Sequence, residues 1–334
     1  MSKPEPTGQA EPATAAPRTT PDAADLARRV AARERRAIAQ AITELERFAP
    51  GAPDLVAALI PYLGHGIVIG ITGPPGAGKS TLVNALIRQV RGQGRTVGVI
   101  AVDPSSPVSG GAILGDRIRM TAALDDDGVF VRSLASRGHL GGLSPAAVRI
   151  IDALDAARFD LILIETVGTG QNEIDVAEIA DVRIVVAAPG LGDDVQAMKS
   201  GLLEIADILV VNKGDRPDAE RTVHQLMGAL SIRARAAGSG HVPVLKTTAT
   251  EGEGIADLVA AIETKAAIIL AEPPAQRRQR RASYLIARAA ADVVTQRLKA
   301  GSALLGRLAG EVLAGRLTPE EAARRLITDT GHDG

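Results

Sequence analysis

The residues whose types and spacing could do chemistry are densest in Gly73-Pro74-Pro75-Gly76-Ala77-Gly78-Lys79-Ser80-Thr81, which fits the pattern G-x-x-x-x-G-K-[ST]. Glycines there let the backbone curl with its N–H groups turned inward, Lys79 can reach the β- and γ-phosphates, and the Ser80 hydroxyl can ligate magnesium. An apolar run, Ile67 to Thr72, leads into this loop, and the residues from Thr81 to Ile87 read as a helix whose positive dipole end faces the phosphates. The spacing predicts a nucleoside triphosphate site at a strand-to-helix turn, against the plainer reading of a glycine-rich connection.

A second cluster points to the base. Ile208-Leu-Val-Val-Asn212-Lys213-Gly214-Asp215 places N-K-x-D directly after a run with the character of a buried strand. A carboxylate at Asp215 can accept both the ring N–H and the exocyclic amine of guanine, whereas adenine offers no matching donor pair. GTP is therefore expected over ATP, since a mismatched buried polar group is costly. Thr247-Thr248-Ala249-Thr250, at the end of the next strand, resembles the element through which such proteins contact guanine by backbone N–H groups, with Thr in place of the usual Ser. Taken alone, N-K-x-D is compatible with a solvated turn.

Magnesium and hydrolysis call for carboxylates near the γ-phosphate. Asp103 closes the run Val99-Ile-Ala-Val-Asp103, Asp116 follows Ile113-Leu-Gly, and Glu165 ends Leu161-Ile-Leu-Ile-Glu165. Each could instead be a helix cap or a loop charge. Glu165-Thr-Val-Gly168 stands where D-x-x-G is usual, which leaves open whether Glu165 binds magnesium through water or orients the attacking water. Lys79, Glu165 and Asp116 are the candidate catalytic groups, and Ser80, Asp103, Asp116 and Glu165 the candidate magnesium ligands. Arg137 and His139 lie in a glycine-rich loop and are weaker candidates for phosphate or proton chemistry.

These residues need a scaffold, and the pattern supplies one. From Ile67 to Thr247 short apolar runs alternate with helical patterns, and several runs are almost wholly apolar, as burial on both faces of a parallel sheet requires. The expected fold is α/β: a doubly wound, mostly parallel sheet over residues 65–272. Residues 22–64 read as N-terminal helices, the longest from Asp22 to Phe48, and residues 273–330 as a C-terminal helical arm, with Thr318-Pro-Glu-Glu as a helix start. By periodicity alone this arm could serve dimerisation or dock on the sheet domain. Residues 1–21, rich in Pro, Ala and Thr, read as a disordered tail without the apolar segment of a signal peptide.

Composition narrows the partners. Among 334 residues, 38 Lys and Arg nearly balance 39 Asp and Glu, so the net charge of -1 gives no bulk attraction to nucleic acid or acidic lipid. Aromatic residues make up 1%, too few for base-stacking platforms. There is no cysteine, which removes disulfides and thiolate metal sites and is compatible with a cytoplasmic protein. No apolar run is long enough to span a bilayer.

Several segments together carry a specific resemblance. They are Val102-Asp-Pro-Ser-Ser-Pro, Gly110-Gly-Ala-Ile-Leu-Gly-Asp-Arg-Ile-Arg-Met120, Ser133-Leu-Ala-Ser-Arg-Gly-His-Leu-Gly-Gly-Leu-Ser144, Ile164-Glu-Thr-Val-Gly-Thr-Gly-Gln171 and Pro189-Gly-Leu-Gly-Asp-Asp. From about Arg28 to Leu270 the chain resembles the MeaB/ArgK family, the chaperone GTPases associated with methylmalonyl-CoA mutase. The resemblance implies a P-loop GTPase of the class that includes signal recognition particle and MinD proteins. It also implies a homodimer formed through terminal helices, and GTP binding and hydrolysis that gate adenosylcobalamin delivery to an acyl-CoA mutase. By position, Gly73 to Thr81 would hold phosphates, Asp103, Asp116 and Glu165 would surround magnesium, and Asn212, Lys213 and Asp215 would read guanine. The segment Gly190 to Lys199 resembles the family's third switch, making Gln196 and Lys199 the candidates for coupling to the mutase. Two other expectations compete: a kinase acting on a transport protein, although no H-R-D or D-F-G constellation is present, and a nickel-inserting maturation GTPase, disfavoured by five scattered histidines and no cysteine.

Overall fold

The structure, a computed structural model, describes residues 22–103, 126–135, 146–166, 172–190, 202–237, 242–299 and 303–329. Its centre is a seven-stranded sheet of β1 (Ile67–Thr72), β2 (Val97–Asp103), β3 (Val129–Ala135), β4 (Leu161–Thr166), β5 (Val182–Ala187), β6 (Ile208–Val211) and β7 (Val244–Lys246). The strand order is β3-β2-β4-β1-β5-β6-β7 and every pairing is parallel. β1 and β4 are buried at every position, so their sequences Ile-Val-Ile-Gly-Ile-Thr and Leu-Ile-Leu-Ile-Glu-Thr need no polar alternation.

Side-chain alternation divides the two faces. Ile67, Ile69, Ile71, Leu161 and Leu163 share a core with α4 (Lys79–Gly92) and the helix Ile255–Leu270. Val68, Ile162 and Ile164 point the other way, into a core with α5 (Ala146–Ala156) and α6 (Asn172–Ile179). The N-terminal helices α1 (Ala23–Ala31), α2 (Arg35–Glu46) and α3 (Ala52–Leu59) complete that second core through Leu26, Ile38, Ile42, Leu45 and Leu55. A third, smaller core lies around β5 and β6, with α7 (Leu202–Ile205) and α8 (Ala219–Ala237).

The single helix expected from Asp22 to Phe48 is two. Arg33 takes a left-handed φ of 60°, and the break sends its guanidinium to the carbonyls of Ala157 and Arg158 at 3.1 and 2.6 Å, over the Phe159 ring. Those tertiary bonds, together with the Arg29–Glu34 pair at 2.8 Å, outweigh the intrahelical bonds that a continuous helix would make.

After α9 (Ile255–Leu270) come α10 (Pro274–Lys299), α11 (Ala303–Leu313) and α12 (Pro319–Asp329). The start of α12 carries the expected cap: Glu321 N–H donates to Thr318 Oγ1 at 3.2 Å, and Thr318 N–H donates to Glu321 Oε2 at 3.0 Å. The first half of α10 docks on the amino-terminal edge of the sheet. There Asp181 Oδ2 accepts from Arg281 at 2.5 Å, from the Val68 N–H at 2.9 Å and from Arg277 at 3.4 Å, with both arginines buried. Arg281 also donates to the Ile179 carbonyl at 2.9 Å, and Tyr284 donates to Asp175. At the same edge Asp155 accepts from the N–H groups of Gly64, His65 and Gly66 at 2.7 to 2.9 Å.

Candidate nucleotide site

The other edge of the sheet is built differently. β1 ends at Thr72 and the chain turns at once through Gly73 to Gly78 into α4. Gly73 has φ 140° and Gly78 φ 89°, and a Cβ at these positions would stand 2.1 Å from the Val186 carbonyl oxygen and 2.4 Å from Asn212 Nδ2. No side-chain residue fits either place, which is the physical content of the glycine spacing. Gly78 is the N-cap of α4 and no side chain caps the helix, so its first-turn N–H groups face the loop opening.

Lys79 is folded into this loop. Its ammonium donates to the Gly73 carbonyl at 2.7 Å and the Pro74 carbonyl at 3.1 Å, and the side chain is largely buried. The next residue reaches across to the neighbouring strand: Ser80 Oγ donates to Glu165 Oε1 at 2.5 Å. Glu165 projects on the α4 face because Leu161 and Leu163 do, and it is 3% exposed. A hydroxyl and a carboxylate converging at the head of a helix are hard oxygen donors, and magnesium needs only one or two of these because it keeps several waters. The pair fits that ion.

The guanine motif stands across the loop, at the end of β6. Asn212 is spent on the scaffold: its Nδ2 donates to the carbonyls of Ala77 at 3.0 Å and Gly78 at 3.3 Å, while its Oδ1 accepts from Thr247 Oγ1 at 3.3 Å and the Ala249 N–H at 3.2 Å. Lys213, held at φ 59°, donates to the Gly76 carbonyl at 2.7 Å. These two residues, grouped with Asp215 in the sequence as base readers, tie the phosphate loop to the β6 and β7 ends. Asp215 is exposed. Thr248 and Ala249 are buried beside it, with Thr248 paired to Glu253 in a short bridge, and Thr250 is exposed. The part played by Thr247 in this junction was not legible, since its partner Asn212 is 35 positions away.

Asp103 ends β2, beside the strand that carries Glu165. Asp116, Arg137, His139, Gly168, Gln196 and Lys199 lie outside the described residues. Among the described residues no group of three or more His, Cys, Asp or Glu gathers as a metal cluster, and no helix is long and apolar enough to cross a membrane.

A parallel doubly wound sheet with a phosphate loop after β1 and N-K-x-D after β6 defines a P-loop GTPase, an enzyme that binds guanine nucleotide and hydrolyses GTP. Residues 38–303 match the family model described as methylmalonyl-CoA mutase-associated GTPase MeaB, and the chain belongs to that family. It is 40% identical over 246 residues to the GTPase ArgK of Escherichia coli, spanning 72% of this chain and 74% of that one. It is 37% identical over 193 residues to the mouse mitochondrial methylmalonic aciduria type A homolog, spanning 57% of this chain and 46% of the relative. Among solved structures, an LAO/AO transport system kinase superposes with TM-score 0.73 at 28% identity, over 92% of this chain and 97% of that one.

Proposed function

We propose that this GTPase is a chaperone of an adenosylcobalamin-dependent acyl-CoA mutase of the methylmalonyl-CoA type, gating loading and protection of the mutase cofactor through GTP binding and hydrolysis. The observation that carries the reading is the match of residues 38–303 to a family described by its association with that mutase. The name of the mouse relative, which refers to methylmalonic aciduria, points the same way.

In this reading Gly73, Pro74, Pro75, Gly76, Ala77, Gly78, Lys79, Ser80 and Thr81 hold the phosphates, with the first-turn N–H groups of α4 facing them. Lys79 exchanges its two loop carbonyls for phosphate oxygens, a substitution of partners that leaves no buried ammonium unpaired at any stage. Ser80 and Glu165, with Asp103 and Asp116 as further carboxylates, hold magnesium, whose charge offsets that of the β- and γ-phosphate oxygens. Asp215, with Asn212 and Lys213, reads guanine, and Thr248, Ala249 and Thr250 border the base; Asn212 and Lys213 also keep the base and phosphate ends in fixed register. Gln196 and Lys199 couple the nucleotide state to the mutase. The same reading divides the chain into a tail (1–21), N-terminal helices (22–64), the GTPase domain (65–272) and a helical arm (273–330). Exposed Ile286, Val293 and Leu313 on that arm suit it to homodimerisation. A cytoplasmic location is compatible with the lack of cysteine.

A second reading, a kinase acting on a transport protein, is favoured only by the name of the superposed crystal structure. One experiment separates the two: GTP labelled at the γ-phosphate is incubated with the protein alone and with a mutase titrated in. The chaperone reading expects slow release of labelled phosphate that accelerates with mutase. Unchanged turnover across the titration contradicts it, and label on a protein supports the kinase.

A further inference from the structure

Two hydroxyls at the nucleotide edge have no role in the site described above. Thr72 is the last residue of β1 and Thr166 the last of β4; they are 1% and 0% exposed, and among the described residues neither Oγ1 has a hydrogen-bond partner. The register of the two strands brings them together. Ile71 lies opposite Glu165, so the next step along the pair sets Thr72 opposite Thr166. Alternation also fixes their face. Ile71 and Glu165 are on the α4 side, so Thr72 and Thr166 share the opposite side, that of α5 and α6.

A buried hydroxyl without a partner is costly, and two of them on adjacent strands are not explained by packing, which valine would satisfy without the penalty. Each hydroxyl offers one donor and two acceptor positions, enough for a single water held between them to be bonded from both sides. Thr72 immediately precedes Gly73, whose carbonyl accepts from Lys79. Thr166 immediately follows Glu165, which accepts from Ser80. We propose that Thr72 and Thr166 are positioning residues that hold one ordered water on the α6 face of the sheet, fixing the separation between the origin of the phosphate loop and the strand end that carries Glu165. Ser80 and Glu165 join the same two structures from the α4 face, so the junction is pinned on both sides.

The inference rests on the reading of Glu165 as part of the hydrolytic site. Reaction rates fall steeply when groups are displaced by fractions of an ångström, whereas ground-state affinity spread over the whole loop does not. Thr72→Val and Thr166→Val should therefore each lower kcat for GTP by about tenfold while KM and the affinity for a fluorescent GDP analogue stay within about twofold, and Thr72→Ser and Thr166→Ser should restore kcat. Thermal unfolding by circular dichroism establishes that each variant is folded; if Thr72→Val is not, Thr166→Val and its serine counterpart carry the decision. Unchanged kcat in the folded valine variants overturns the proposal, as does a loss of GDP affinity in proportion to kcat, or a serine variant as slow as the valine one. Glu165→Gln, assayed in parallel, keeps the two readings apart. If it hydrolyses GTP normally, the assignment of Glu165 has failed; if it is slow while the valine variants are normal, only the role of the threonines has.

Discussion

The two edges of the sheet handle buried polarity in opposite ways. At the amino-terminal edge two carboxylates hold fixed partners: Asp181 holds Arg277, Arg281 and the Val68 N–H, and Asp155 holds three successive backbone N–H groups. At the carboxyl-terminal edge the partners of Lys79 and Ser80 are exchangeable. Lys79 rests on loop carbonyls, Ser80 on Glu165, and the helix α4 begins without a side-chain cap. The first arrangement anchors the first half of α10 to the sheet. The second stores binding capacity, because phosphate and a cation can replace the present partners of Lys79, Ser80 and Glu165 while the ammonium stays paired. Stability and nucleotide chemistry are thus assigned to different ends of the same strands.

The comparison breaks most visibly at Asp181. Asp181→Asn keeps the shape but removes the charge that two buried guanidinium groups share, and stripping one partner from a buried ionic cluster costs about 3–5 kcal/mol. Urea unfolding should show that loss, with GTP turnover per folded molecule unchanged. Lost turnover without lost stability would mean that the edges are not separable. Asp152, which faces Arg278 at 3.4 Å, offers a smaller and sharper test. Burial raises its pKa above the ordinary 3.8, with Arg278 opposing the rise. A raised carboxyl pKa stabilises the fold fully below the unfolded value, and that contribution is lost as pH climbs from there through the folded value. Stability of the parent relative to Asp152→Asn should therefore decline with rising pH from about 3.8 upward, a slope absent if burial is not felt at that carboxyl.

What was legible in the sequence tracks how local the cause is. Gly73 to Thr81 could be read because the conformation of the loop is set by its own glycines and by the strand and helix on either side. The parallel sheet could be read because Val, Ile and Leu run without alternation. The junction of Ser80 with Glu165 was only half visible: both were magnesium candidates, but 85 positions separate them and nothing in the chain states that β4 inserts between β2 and β1. Asp181 and its arginines are about a hundred positions apart, and no local pattern joins them. The break at Arg33 was hidden for the same reason, since the carbonyls that reward it belong to Ala157 and Arg158. Asn212 shows the remaining limit. Its motif is local, but its bonds to Ala77, Gly78, Thr247 and Ala249 span separations that the motif does not encode.

The account turns on a guanine nucleotide being held at the carboxyl-terminal edge, with Asp215 as the exposed member of its motif. The most direct measurement is the affinity of the parent and of Asp215→Asn for GTP and for xanthosine triphosphate, in which a carbonyl replaces the exocyclic amine of guanine. An asparagine amide donates to that carbonyl as an aspartate cannot, so the variant should lose GTP affinity by about a hundredfold or more and gain xanthosine triphosphate in its place. Equal GTP affinity in the two proteins would contradict the placement of the base and, with it, the division of labour between the two edges.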